Sequence, residues 1–212
     1  MTAKVGSNVG LKCFVQQNSL MLSTYWQQAL TRETQATSNL QNLPMSPQDI
    51  KCKFNHVGVA VDDLDAAVKW YTDTLGLHQI IAPAHMNRKQ DPNGIVFRVY
   101  GSDLHEVKVA YLGFENQIGF EIFQFVDPPH HGGTVACPAR FDAQAWTRGG
   151  FFHIAVTAAE PETLAQKVQT AGGKRVGKSV TLPNGETALY VQDPWGNVIE
   201  VCSADFKRLI TS

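Results

Sequence analysis

No CxxC pair occurs in this chain. Its four cysteines, Cys13, Cys52, Cys137 and Cys202, stand far apart. At 212 residues they read as free thiols in a reducing compartment, not as a disulfide framework. A cytoplasmic protein is therefore expected. Long apolar runs are missing as well: none approaches the roughly 18–20 residues of a membrane span, so no membrane partner is expected. Charge of either sign is not in excess. The formal net charge is −1, which gives no reason to expect nucleic acid or an anionic membrane as partner. Hydrophobic residues make up 43% and charged residues 17%, an ordinary globular balance. The length suits one large domain or two small modules sharing a core.

The first 50 residues differ in composition. They hold no acidic residue before Glu33, are rich in Ser, Thr, Gln and Asn, and include "NSLMLSTYWQQAL", which reads as an amphipathic helix. A secretory signal needs a more continuous apolar core. An organellar transit peptide is the competing reading, although Lys4, Lys12 and Arg32 are the segment's only basic residues. Residues 1–50 are read as an N-terminal arm, packing on the domain or on a partner subunit.

What is present is a repeat. "FNHVGVAVDDLDAAVKWYTDTLGLHQI" (54–80) aligns with "FFHIAVTAAEPETLAQKVQTAGGKRVG" (151–177). His56 falls on His153 and Gly76 on Gly173. Each copy reads as a strand, a turn, an amphipathic helix and a glycine stop. In the first, Leu64, Ala67, Val68, Tyr71 and Leu75 recur at helical spacing; in the second, Leu164, Ala165 and Val168 do, with Pro161 in the first turn. Strands are expected at "GIVFRVYG", "HEVKVAYLGF" and "IGFEIFQFV" after the first helix. After the second they are expected at "RVGKSVTLP", "ETALYVQD" and "NVIEVCS". The fold class is α+β, built from βαβββ twice. Module one spans 54–126 and module two 150–203, within a domain of 51–203. A connecting loop fills 127–149, "APAHMNRKQDPNG" (82–94) reads as a further loop, and 204–212 form a tail.

Strand alternation places residues i and i+2 on one face. Val57, Val59 and Val61 face the helix, leaving His56 opposite with the small residues Gly58 and Ala60. Phe152, Ile154 and Val156 do the same for His153. Glu121 alternates with Phe120 and Ile122, and Glu200 with Ile199 and Val201. An unpaired carboxylate within such an apolar run is costly. If the repeats pair about a pseudo-two-fold, His56, Glu121, His153 and Glu200 converge as ligands of one divalent ion: Zn, Ni, Co, Mn or Fe. No organic cofactor is evident.

With "HVGVAVDDLDAAVKWYTDTLGL", "EVKVAYLGF…GFEIFQF" and "DPWGNVIEV" in hand, the stretch from about 54 to 203 resembles the vicinal oxygen chelate superfamily of glyoxalase I, methylmalonyl-CoA epimerase, extradiol dioxygenases and antibiotic-resistance proteins. The resemblance implies a cupped, incomplete barrel around a metal held by His56, Glu121, His153 and Glu200. Glu121 tilts it toward the glyoxalase and epimerase branch, since the dioxygenase branch uses two His and one carboxylate. In the favoured branch the ion is a Lewis acid, and a glutamate, Glu200 or Glu121, moves a proton beside a carbonyl. An arginine and an asparagine expected in glyoxalase I for glutathione are here Ala60 and Phe125.

The function expected is therefore a metal-dependent isomerase or lyase acting on a small oxygenated substrate. The alternatives are an Fe(II) extradiol-type dioxygenase and a small-molecule binding or resistance protein. Arg88, Arg148, His130 and Phe123 are the foremost candidates for substrate contact. Arg98, Arg140, His131, Phe97 and Phe125 follow, and His78, His85 and His105 are read as incidental. The superfamily resemblance allows a site within one chain or across a homodimer.

Overall fold

The computed structural model describes residues 52–134, 140–147 and 149–211. The chain divides into Met1–Lys53 and Phe54–Ser212, and every element below belongs to the second unit. The helix expected in the N-terminal arm lies outside the described residues.

The elements run β1 (His56–Ala60), α1 (Leu64–Leu75), β2 (His78–Asn87), α2 (Ile95–Tyr100), β3 (Glu106–Gly113), β4 (Gly119–Asp127), α3 (Ala143–Thr147), β5 (Ile154–Thr157), α4 (Pro161–Thr170), β6 (Lys174–Thr181), β7 (Thr187–Gln192), β8 (Val198–Cys202) and α5 (Phe206–Ile210). Two four-stranded sheets result, in the orders β1-β4-β3-β2 and β5-β8-β7-β6. In each, the first strand pairs parallel with the last and the remaining pairs are antiparallel. The βαβββ repeat read from the sequence is thus present twice, as open sheets.

Local chemistry explains the helices. Asp63 accepts a hydrogen bond from the Ala66 N–H at 3.0 Å, capping α1. Gly76 ends it at φ 76° with its N–H on the Thr72 carbonyl, a left-handed turn that favours glycine. In module two the matching turn shifts by one: Gly172 takes φ 87°. Gly173 instead packs so closely that a Cβ would lie 2.5 Å from the Gln192 carbonyl.

One core joins the modules. Tyr71, Phe120 and Ile122 of module one are fully buried together with Val168, Val191, Ile199 and Val201 of module two. Burial of each such side chain contributes about 1.5–3 kcal/mol. Polar ties cross the same seam. The Trp70 indole donates to the Ala171 carbonyl at 2.9 Å, the Trp195 indole to Asp62 at 2.7 Å, and the Tyr71 hydroxyl to buried Asp193.

Three expectations need correction. "GIVFRVYG" is helix α2, not a strand; only Phe97 of it is buried, in a second cluster with Leu104, Val107 and Val109. The strand it was expected to supply is β2, which takes in 82–87 from the stretch read as loop. Pro83 hid it: proline lacks the N–H a ladder needs, and is tolerated here because β2 is an edge strand whose register slips between Ile81 and Ala84. The tail holds helix α5, capped by Asp205 accepting from the Arg208 N–H at 3.0 Å.

Candidate metal centre

Alternation along the strands puts the expected ligands where the sequence placed them, on the sheet faces away from the shared core. Glu121 is half-buried between the fully buried Phe120 and Ile122, and Glu200 between Ile199 and Val201. Parallel pairing sets Glu121 across from Gly58 and Glu200 across from Ala155. Small residues there leave space above each carboxylate. Gly119 has a sharper role: it faces His56, and a Cβ there would lie 2.9 Å from the His56 Cβ.

Each module brings one histidine to one glutamate. His56 Nε2 lies 3.5 Å from Glu121 Oε2, and His153 Nε2 lies 3.3 Å from Glu200 Oε2. These separations exceed the roughly 2.7–2.9 Å of a charge-assisted hydrogen bond. Two ligands of one ion with bonds of about 2.0–2.1 Å have a donor-to-donor edge of roughly 3.0–3.4 Å, a range that includes the second pair and that the first exceeds slightly.

The fold does more for His56 than for His153. His56 Nδ1 lies 2.6 Å from Asn55 Oδ1, an acceptor, so the ring donates from Nδ1 and turns its Nε2 edge to the carboxylate. A histidine held this way presents Nε2 and the carboxylate toward the same point, where a cation could be shared. His153 Nδ1 is buried with no hydrogen-bond partner among the described residues; the ring makes edge contacts with Phe152 at 4.6 Å and Tyr190 at 5.4 Å. Two imidazoles and two carboxylates fit a divalent first-row ion. The pairs nevertheless stand apart: among the described residues no three His, Cys, Asp or Glu side chains are grouped closely enough to share an ion. Within one chain the modules pack through their helices and leave each His–Glu pair on its own sheet.

Cavities adjoin both halves of module two. One of about 240 Å³ is lined by His153, Arg140, Phe141 and Phe152, with Gly58 of module one. Another, about 340 Å³, has Glu200 as its acidic wall; Ala155, Ala188, Cys202, Leu209 and Ile210 supply apolar surface. Burial, then the charge of Glu200, pushes the Cys202 thiol up to about 11.

Other candidates are distributed. Arg88 spends its donors on the carbonyls of Leu104 and Gly101 and covers the Phe97 ring at 4.7 Å. His130 Nε2 lies 3.2 Å from the Gly133 carbonyl in the connecting segment. Phe123 shares the Glu121 face and stacks on Phe125 at 5.7 Å. Arg148 lies outside the described residues. Arg98, His78, His105 and His131 are exposed, and His85 pairs with Glu106 at 2.7 Å. The sequence reading missed Asn55, helix α5 as a cavity wall, and a tyrosine opposite each glutamate: Tyr111 across from Glu121 and Tyr190 across from Glu200. The last was detectable, since each tyrosine precedes its glutamate by ten residues in both repeats.

Residues 53–201 match the Glyoxalase/Bleomycin resistance protein/Dioxygenase superfamily. The chain belongs to this superfamily. It is 26% identical over 155 residues to a probable lactoylglutathione lyase of Synechocystis sp., covering 72% of this chain and 96% of that one. It is 27% identical over 158 residues to a 2-epi-5-epi-valiolone epimerase of an Actinomyces species, covering 69% and 76%. Among solved structures, a glyoxalase family protein from Bacillus cereus superposes with a TM-score of 0.58 at 18% identity, covering 74% of this chain and 97% of that one. The superposition shows the shared fold, with its two modules and open sheets. Among the described residues no helix is long and apolar enough to cross a membrane.

Proposed function

We propose that this superfamily member is a metal-dependent isomerase or lyase that moves a proton beside a carbonyl on a small oxygenated substrate. The observation that carries the reading is the repeated His–Glu pair, at 3.5 Å in module one and 3.3 Å in module two, on equivalent strands. His56, Glu121, His153 and Glu200 would hold the ion, the two pairs being brought together with a second copy of the chain. A divalent ion there would act as a Lewis acid on two adjacent substrate oxygens. The glutamates supply the proton-transfer group. Relatives named as a lyase and an epimerase support placing the chain among enzymes.

The pocket chemistry narrows the substrate. Glu200 forms one wall of a cavity whose other lining is mostly apolar, with Val156, Phe206, Leu209 and Ile210, beside Thr157 and the Cys202 thiol, which suits a short apolar substituent beside the oxygens. A glutathione conjugate is disfavoured. Ala60 brings no charge, and Phe125 is packed against Tyr100 at 5.8 Å and Phe123 at 5.7 Å. No amide or guanidinium stands at either place.

Elemental analysis of protein purified without added metal, beside the Glu121→Gln variant, tests the reading. Nickel, zinc, cobalt or manganese at about one ion per chain, weakened in the variant, is the expected result. Iron that Glu121→Gln leaves in place would move the assignment to oxygen-dependent ring cleavage. Protein free of metal under either condition would favour a small-molecule binding protein.

A further inference from the structure

We propose that Arg140 anchors a substrate carboxylate in the cavity between the two modules, and that the substrate is a monocarboxylate with an apolar or aromatic body. This rests on the metal-dependent reading above only in calling the ligand a substrate; its binding stands on the cavity itself.

Module two borders two cavities of opposite character. Glu200 gives one of them an acidic wall. The other, of about 240 Å³, is lined by Gly58 of β1, by His153 and Asn197 of module two, and by Arg140 and Phe141 of the connecting segment. Among the described residues no carboxylate lines it, and Arg140 is its one permanently charged side chain. Apolar walls strengthen the pull of a lone charge on an ion of opposite sign. An anion is therefore sorted to this cavity and away from the other.

The surroundings of Arg140 leave its guanidinium unclaimed. Asp142, the nearest acid along the chain, is turned to the start of α3. Its side chain accepts from the Gln144 N–H at 3.0 Å and its carbonyl from the Ala145 N–H at 2.8 Å. The polar side chains Asn197 and Tyr71 of the lining both donate to Asp193 in the seam. Other arginines are engaged: Arg88 donates to backbone carbonyls, while Arg175 and Arg208 pair with Glu162 and Glu186. Among the described residues Arg140 has no such partner.

The segment that carries Arg140 is held in place. Phe141 stacks on Tyr190 at 6.3 Å and meets Trp146 edge-on at 5.1 Å. Phe151 and Phe152 line the same cavity and are exposed. Aromatic surface beside a lone guanidinium suits a ligand with an apolar body and a negative end. The planar guanidinium holds a carboxylate through two parallel N–H bonds. One such group balances a monoanion, whereas the second charge of a phosphate monoester would lie unpaired against an apolar lining.

The test uses the full chain treated with EDTA, with 3-phenylpropanoate as probe and its neutral amide, 3-phenylpropanamide, for comparison. Saturation-transfer NMR titrations read both affinities. Wild type should bind the carboxylate about 10–100-fold more tightly than the amide, the scale of a hydrogen-bonded charged group. Arg140→Gln should bind the two alike, and Arg140→Lys should recover part of the preference. Arg98→Gln changes an exposed arginine outside this lining and should leave the preference intact. Urea midpoints check that each variant is folded. Wild type that binds neither compound, or both equally, overturns the proposal, as does a preference that survives Arg140→Gln. Phenyl phosphate binding more tightly than 3-phenylpropanoate overturns the choice of a carboxylate. Co²⁺ added to the same protein, followed by its visible absorption, reads the metal centre separately. A carboxylate preference that depends on Arg140 in protein that takes up no Co²⁺ supports the anchor and rejects the metal reading alone.

Discussion

At the scale of single residues, the half-sites make predictions separable from overall stability. Asn55 is exposed and supports no core, but it accepts from His56 Nδ1 through a 2.6 Å contact that orients the ring. Asn55→Ala should weaken Co²⁺ binding about 10–100-fold, as loss of a ligand-orienting partner does, with the urea midpoint unchanged; an affinity equal to wild type would deny Asn55 an orienting role at a metal site. Cys202 gives a second prediction. Its thiol is buried and pushed up to about 11, while Cys52 is exposed. Since the thiolate is the reactive form, iodoacetamide at pH 8 should label Cys52 in the native protein and reach Cys202 only after unfolding. Peptide mapping reads both. Early labelling of Cys202 would show that the Glu200 cavity is open and wet.

At the scale of elements, the seam between α1 and the β7–β8 turn is the point of greatest leverage. Asp193 is fully buried and accepts from the Tyr71 hydroxyl, the backbone N–H groups of Trp195 and Asn197, and the Asn197 side chain. Tyr71→Phe removes one donor from a buried carboxylate and should cost about 1–3 kcal/mol in urea unfolding. A loss of only a few tenths would mean the remaining donors suffice. Helix α4 is tied to β6 differently, by Arg175 donating twice to the exposed Glu162, which hydrogen bonding holds at about 2. The folded value lies below the ordinary 4.5, so this contribution is complete above that value and disappears as pH falls to about 2. The melting-temperature difference between wild type and Glu162→Gln should therefore be present at pH 7 and vanish near pH 2. The same elements show what could be read in advance. Where apolar residues kept period 2 or the helical period, as in β1, β4, β8, α1 and α4, the sequence located the element and the facing of its side chains. β2 was hidden because Pro83 is an edge-strand residue that looks like a loop residue, and α2 because its β-branched run reads as a strand although the segment is a short helix that buries Phe97. The strand faces of Glu121 and Glu200, and the histidine beside each, were legible because alternation is a local rule. How the two pairs relate was not legible, because that depends on which faces of the modules pack together.

At the scale of the whole molecule, that packing sets the decisive test of the proposed centre. The modules meet through α1, α4 and the tryptophans, and each keeps its His–Glu pair on its own sheet. Two ligands hold a divalent ion poorly, and four hold it well. A two-fold dimer in which module one of each chain meets module two of its partner would complete two equivalent four-ligand sites. This arrangement predicts complementation. A chain carrying His56→Ala and Glu121→Gln breaks its module-one half-site; a chain carrying His153→Ala and Glu200→Gln breaks the other. Alone, each variant should purify without the ion, since every site in its homodimer has lost two ligands. In a mixed dimer the lesions fall together in one site, and the second site keeps all four native ligands. Co-unfolding and refolding equal amounts yields mixed dimers in about half of the population, so Co²⁺ binding should return to about one quarter of the wild-type number of sites. A site confined to one chain gives no such return, because neither variant holds an intact set. Sedimentation of the same mixture distinguishes that outcome from a failure to associate: a monomer with no recovered binding rejects the shared site, while a dimer with one quarter of the sites restored establishes that this chain completes its metal centre with a second copy of itself.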